Sequence, residues 1–300
     1  MRIVSLVPHA TELLFALGLG PQVVAVTHEC DHPPAALELP RVTRDVLPAG
    51  LSAGQIDAAV RERTLEGEAI YELDREALAA LEPELIVTQA LCPVCAVSYE
   101  EVAELAGRLP SRPRVIALDP KTLEETLGDV ATLAAATGHD AQGRALVRYA
   151  EERITRITEA VHGQPRPRVA ALEWLDPVFA AGHWTPQLIE LAGGEDVLAE
   201  AGGPSRTVSW QDVAAAEPEV VIVMPCGYDA PRAHAEAISY ASELAGLGAG
   251  SIVAVNASAY FSRPGPRLID GLELLGHILH PRQVRSAPGE TLAVQSATAA

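Results

Sequence analysis

The chain has 300 residues, 48% of them hydrophobic but only 4% aromatic, and a formal net charge of −18. That length suits one or two domains, each with enough chain for a core. The acidic balance argues against nucleic acid or an anionic membrane as partner, and no apolar run reaches transmembrane length, so no membrane insertion is expected.

Taken in order, Ile3–Val7 reads as a buried strand, Pro8–Thr11 as a turn, and Glu12–Leu17 as a helix capped by Thr11 and closed by Gly18 and Gly20. Met1 leads straight into that strand, with no basic stretch and no small-residue cleavage site. The expectation is therefore a cytoplasmic protein in which Cys30, Cys92, Cys95 and Cys226 serve metal or redox chemistry rather than disulfides. Val23–Val26 is the second strand and Arg41–Leu47 is extended. Ser52–Tyr71 is helical and then loop-like, an embellishment on the first half. A helix at Glu76–Leu81, a strand at Leu85–Thr88, a helix at Tyr99–Arg108, a strand at Val115–Leu118 and a helix at Leu123–Thr137 follow.

The stretch from Asp140 to His162 organises the chain. Leu146, Ala150, Ile154, Ile157 and Val161 recur at helical spacing among charged residues, and Gly163, Pro165 and Pro167 end the run. Some 20 residues at 1.5 Å each span about 30 Å, roughly a domain's diameter. Beyond it, strands at Val169–Glu173, Val220–Val223 and Ser251–Val255 and helices at Pro186–Ala192 and Leu268–Leu279 are expected, with 284–300 a loose tail.

Similar things are said on either side of that helix. In each half a β-rich run opens, a loop with a His leads into a helix, and an Ala-rich helix ends in Glu-Pro-Glu (Glu82–Glu84, Glu217–Glu219) before a buried strand. The pattern predicts an α/β fold of two similar lobes with parallel sheets joined by a single long helix: 1–138, the link 139–163, and 164–283.

In such sheets ligands sit outside the carboxyl ends of the strands. The exits carry His9; His28, Glu29, Cys30 and Asp31; Cys92 and Cys95; Trp174 and Asp176, then His183 and Trp184; Cys226, Tyr228 and Asp229; and Tyr260 with Arg263. All four cysteines leave strands, and thiolates select zinc, copper(I) and iron–sulfur centres. Cys92-x-x-Cys95 has the spacing of a metal knuckle or a redox dithiol, with Cys30, Cys226 and His28 as candidate further ligands. His28–His32 fits H-E-x-x-H by letter, but a strand precedes it and Pro33-Pro34 follow, so it is a loop and no metalloprotease helix. Walker and nucleophile-elbow motifs are absent, and Gly246–Gly250 is in the wrong register for dinucleotide binding.

The segments SLVPHATELLFALG, EWLDPVFAAGHWTPQLIELAGGE and AYFSRPGPRLIDGLELLGHILHP resemble the cobalamin-binding members of the iron-chelate and cobalamin substrate-binding protein superfamily, over roughly Arg2–Pro281. The resemblance implies two α/β lobes on one long helix, with a corrinoid or metal chelate in the cleft. It implies ligand contacts from the loops at Pro8–Thr11, His28–His32, Phe179–Trp184 and Ala259–Arg263. One acidic residue per lobe would dock an ABC permease: Glu76 matches the first, and the second falls near Gln211–Asp212.

The expected function is that of a non-catalytic binding protein for a cobalamin-like corrinoid or metal chelate. Its ligand residues would be Pro8, His9, His28, Glu29, His183, Trp184, Tyr228, Tyr260 and Arg263. Cys30, Cys92, Cys95, Cys226 and His28 would ligate a metal or meet the ligand's metal centre. The alternative is a cytoplasmic zinc or iron–sulfur protein or enzyme on the same scaffold, using the four cysteines.

Overall fold

Short apolar strands set the first unit. β1 (Ile3–Ser5) leads to α1 (Pro8–Ala16) and β2 (Val23–Val26), then a hairpin of β3 (Thr43–Asp45) and β4 (Tyr71–Leu73) interrupted by α2 (Ala53–Leu65). α3 (Arg75–Ala80), β5 (Leu85–Thr88), α4 (Tyr99–Arg108), β6 (Arg114–Ala117), α5 (Leu123–Thr137) and α6 (Asp140–Val161) follow. The computed structural model describes residues 1–66, 68–89 and 97–294. Described residues of 1–120 and 125–147 make one compact unit; residues 121–124 and those from Arg148 onward make a second. The boundary falls inside α6.

The sheet of the first unit has the order β2-β1-β5-β6, all parallel. Successive side chains go to opposite faces, as the pleat requires. Ile3, Leu85 and Val87 pack with α1 and α5, while Val4, Leu6 and Ile86 pack with Val102 and Ala106 of α4. Both faces are covered, which is why these strands read as unbroken apolar runs.

The second unit contains β7 (Arg168–Leu175), β8 (Val178–Ala180), α7 (Thr185–Leu191), β9 (Glu195–Asp196), β10 (Arg206–Thr207), α8 (Trp210–Ala215) and β11 (Val220–Val223). Then come α9 (Ala230–Ser239), α10 (Ala241–Gly246), β12 (Ser251–Val255), α11 (Ala257–Tyr260), α12 (Leu268–Leu279) and β13 (Thr291–Ala293). Strands β7, β11 and β12 are parallel, but β8, β10 and β13 run antiparallel to their neighbours, so this sheet is mixed rather than purely parallel. Residues 291–293, expected in a loose tail, form an edge strand on β12. α1 also starts earlier than expected: Pro8 occupies its first turn with Val7 as N-cap, and Thr11 lies inside the helix. Proline suits that position because its missing N–H is not needed there.

The internal repeat is a repeat of hydrogen bonds. The Arg2 N–H donates to Glu84 Oε2 (2.7 Å), its Nε donates to Leu81 O at the end of α3 (2.6 Å), and Glu84 N–H donates back to Arg2 O (2.9 Å). In the second unit Arg168 N–H donates to Glu219 Oε2 (2.9 Å), its Nη2 to Ala216 O at the end of α8 (2.6 Å), and Glu219 N–H to Arg168 O (2.8 Å). Each Glu-Pro-Glu turn places its first Glu in the left-handed region, Glu82 at φ 43° and Glu217 at φ 44°. That conformation costs an L-residue about 1–2 kcal/mol and a β-branched one more. Glu217→Val is therefore expected to lower the unfolding free energy by about 1–2 kcal/mol, whereas Glu217→Gly leaves it unchanged or raises it, as urea melts will show.

Candidate functional site

In the first unit the exits of β1 and β2 and the β3–β4 hairpin border a shallow concavity lined by Leu6, Pro8, Thr27, Glu29, Thr43, Tyr71 and Val97. Its polar centre is the Thr43 hydroxyl, which accepts from the His28 main-chain N–H (3.0 Å) and lies 2.7 Å from His28 Nδ1 and 2.8 Å from Thr27 Oγ1. With Nδ1 engaged by Thr43, Nε2 is the ring nitrogen that this hydroxyl leaves over. The Tyr71 ring lies 5.1 Å from the His28 ring, and its hydroxyl donates to Glu29 Oε1 (3.3 Å). Arg41 fixes the start of this loop by donating to Thr27 O (2.9 Å).

Two residues expected here sit differently. His9 is in the first turn of α1 and only 2% exposed, so it lies beneath the loops rather than on their surface. Cys30 is 1% exposed, belongs to the apolar core, and its sulfur lies 3.1 Å from Thr11 Oγ1. It behaves as a small core residue. Cys92 and Cys95 lie outside the described residues.

In the second unit the corresponding loops are 181–184, 224–229 and 256–263. His183 is half-buried at φ 55°, held on both sides by main-chain bonds: its N–H donates to Gly203 O (2.6 Å) and Gly202 N–H donates to its carbonyl (2.8 Å). Burial, and then the positive charge of Lys121, lowers its pKa, which keeps the imidazole neutral at pH 7. Trp184 is 6% exposed and donates from Nε1 to Phe261 O (2.7 Å), tying this loop to the one after β12. Tyr260 and Arg263 are half-buried, the Tyr260 ring packing against Gly289, where a Cβ would come within 2.6 Å of it.

Tyr228 is core: it is 4% exposed, with the Trp174 ring 5.6 Å away and the Arg232 guanidinium 3.7 Å above its ring centre. Cys226 is exposed at the exit of β11. Among the described residues no group of three or more His, Cys, Asp or Glu side chains could hold a metal ion.

Sequence reasoning missed Thr43, in the stretch read only as extended, Tyr71, at the end of the supposed embellishment, and Glu173 on β7. The last was findable: a carboxylate inside the apolar run Ala170–Leu175 needs an explanation.

A family model of periplasmic binding proteins matches residues 3–239. The chain belongs to the periplasmic binding protein family. Among relatives, the vitamin B12-binding protein of Vibrio cholerae is 26% identical over 274 residues, covering 91% of this chain and 86% of that protein. The vitamin B12-binding protein of Pectobacterium carotovorum is 26% identical over 276 residues, covering 89% and 84%. Among solved structures, the periplasmic vitamin B12 binding protein BtuF of Vibrio cholerae superposes with a TM-score of 0.66 at 25% identity, covering 93% of this chain and 96% of that one. A periplasmic heme binding protein of Pseudomonas aeruginosa gives 0.70 at 20% identity, covering 97% and 94%, which speaks to the fold alone.

Family membership corrects the expectation of a cytoplasmic protein, since the matching model and the Vibrio structure are both of periplasmic proteins. The apolar start at Ile3–Ser5 reflects a strand of the folded unit and carries no information on compartment. The zinc or iron–sulfur alternative also finds no support. Its Cys30 is sequestered in the core, and the relatives named above are vitamin B12-binding proteins.

Proposed function

We propose that this periplasmic binding protein takes a corrinoid of the cobalamin type as its cargo. The observation carrying this reading is the 26% identity to a vitamin B12-binding protein over 91% of the chain. In the first unit, Pro8, His28 and Glu29 would meet the ligand beside the Thr43–Tyr71 hairpin; in the second, His183, Tyr260 and Arg263 would do so, with Trp184 fixing their loops. His28 Nε2 and the exposed Cys226 thiol are the donors that would face the ligand's metal centre.

Docking onto a permease is part of the same proposal. Glu76 is exposed two residues past Asp74, the N-cap of α3, and Gln211 is exposed two residues past Ser209, the N-cap of α8. The repeat thus pairs Glu76 with Gln211. Asp212 is taken up by its own capping box, accepting from Ser209 N–H (2.9 Å) and Ser209 Oγ (2.8 Å). Docking would rest on one acid and one amide.

Gel filtration after incubation with cyanocobalamin tests the cargo. The reading expects corrin absorbance to co-elute with the protein and to resist an excess of haemin; displacement by haemin, or elution of all corrin with the small molecules, overturns it.

A further inference from the structure

Thr27 directly follows β2 and Thr43 opens β3. Main-chain bonds hold the two segments abreast: Val26 N–H donates to Pro40 O (3.0 Å), and Val42 N–H donates to Val26 O (3.1 Å). Both threonines are buried, 5% and 7% exposed, and both are β-branched, so their side chains have little rotational freedom. Their hydroxyls meet at 2.8 Å. His28 is gripped at two points by Thr43 Oγ1, its main-chain N–H at 3.0 Å and its Nδ1 at 2.7 Å, while Thr27 Oγ1 lies 3.4 Å from the same Nδ1.

We propose that Thr43 is the positioning residue that sets the tautomer of His28: its hydroxyl donates to Nδ1, the ring proton sits on Nε2, and His28 meets the cargo as a hydrogen-bond donor to an oxygen or nitrogen acceptor rather than as a metal ligand. The tautomer stands on this hydrogen-bond group alone; the contact with the cargo rests on the function proposed above.

A hydroxyl has one proton to give and two lone pairs, and a neutral imidazole has one N–H and one bare nitrogen. The main-chain N–H of His28 can only donate, so it occupies one lone pair of Thr43 Oγ1. One proton and one lone pair remain on Thr43, to be shared between Nδ1 and Thr27 Oγ1. If Thr43 donates to Nδ1 and accepts from Thr27, every proton of the group has an acceptor. In the reverse order Nδ1–H donates to Thr43, and Thr43 donates to Thr27. The Thr27 proton is then stranded, because among the described residues its hydroxyl reaches only Thr43 and, at 3.4 Å, an Nδ1 that already carries a proton. A buried donor without a partner is the less stable state. The first order therefore prevails, and it leaves the ring proton on Nε2. Turned toward a metal centre, such an N–H bonds to the group the metal already carries and leaves that group in place.

Nitrogen-15 labelling of the histidine rings reads the tautomer without any ligand, by long-range proton–nitrogen correlation at about pH 8.5, where an ordinary imidazole is neutral. The His28 signals are those lost in His28→Gln. Wild type should show Nδ1 as the bare nitrogen and Nε2 as the protonated one. Thr43→Val should draw the two shifts together as the ring samples both tautomers, and Thr43→Ser, which keeps a hydroxyl, should restore them. A protonated Nδ1 in wild type, or the same shifts in wild type and Thr43→Val, overturns the proposal, and the wild-type reading stands even where the valine variant fails to fold. The contact is tested with aquocobalamin, whose axial water is exchangeable. Wild type should bind it with the corrin bands of the free compound, and Thr43→Val should bind about fivefold more weakly. A band shift on binding that His28→Gln abolishes means that a ring nitrogen has displaced the water, and it overturns the donor role. No binding of aquocobalamin or cyanocobalamin overturns the cargo, and with it the contact, while the nitrogen shifts still decide the tautomer.

Discussion

Replacing Arg153 by alanine will lower the unfolding free energy by about 3 kcal/mol, a large share of what a domain of this kind commands. Arg153 lies in the second half of α6 and binds α12 with a full fork: Nε donates to Glu273 Oε1 (2.8 Å), and Nη2 lies 2.7 Å from Glu273 Oε2 and 2.6 Å from Asp270 Oδ1. The three side chains are only 13%, 15% and 25% exposed for Arg153, Glu273 and Asp270. Hydrogen bonds to Glu273 and then to Asp270 outweigh the burial that would otherwise lower the guanidinium's pKa. Removing it leaves two carboxylates side by side in a partly dry setting, and that desolvation exceeds the worth of the pair itself. Arg156 does not substitute, because it reaches Glu273 only at 3.8 Å and is 65% exposed, a geometry worth about 0–1 kcal/mol. Arg153→Lys should fall between, keeping the charge and losing the fork. Urea melts of the three chains read the order directly.

The second large effect is on the pH dependence of stability, which should fall as pH rises from about 5 to about 8. Burial raises four carboxyls in the fold, Glu236 among them, and three of them strongly. Asp129 goes to about 7, with repulsion from Asp119 and Glu125 adding to it; Glu173 goes to about 7 and Asp196 to about 6. An unfolded chain ionises them near 3.8 for Asp and 4.5 for Glu. Between those values and the folded ones the native state holds protons that the unfolded state has released. Stability therefore declines with rising pH across this window and levels off above it. Allowing for partial solvation, the sum is on the order of 3 kcal/mol. Glu124 and Asp212, whose pKa values are lowered, act in the opposite sense only at more acidic pH. Melting temperatures at about pH 5.8 and pH 8 check the sign, and Asp129→Asn should flatten the slope.

Much of the architecture is legible in the residues because it rests on periodicity and on repeated hydrogen-bonding roles. α6 follows from its apolar stripe and its Gly-Pro stop, and α5 ends where Gly138 turns to φ 73°. The duplicated Glu-Pro-Glu turns are visible as letters, yet their meaning, an arginine clamp closing each helix onto the sheet, appears only with coordinates. What stays hidden is what depends on distant partners. β8 and β13 are three residues long and owe their existence to the neighbouring strands. Tyr228 follows a strand exit, where a ligand residue would sit, but is buried because Trp174 and Arg232 cover it. Cys30 leaves a strand as a ligand would, yet the core closes over it. Exposure is a tertiary property, and residue type alone does not encode it.

Isothermal calorimetry of the full chain with cyanocobalamin tests the central claim most directly. A saturable heat at one corrinoid per chain, reduced when His28 or His183 is replaced by alanine, is the predicted outcome. A flat titration with cyanocobalamin in a sample that gives a saturable heat with haemin would contradict it.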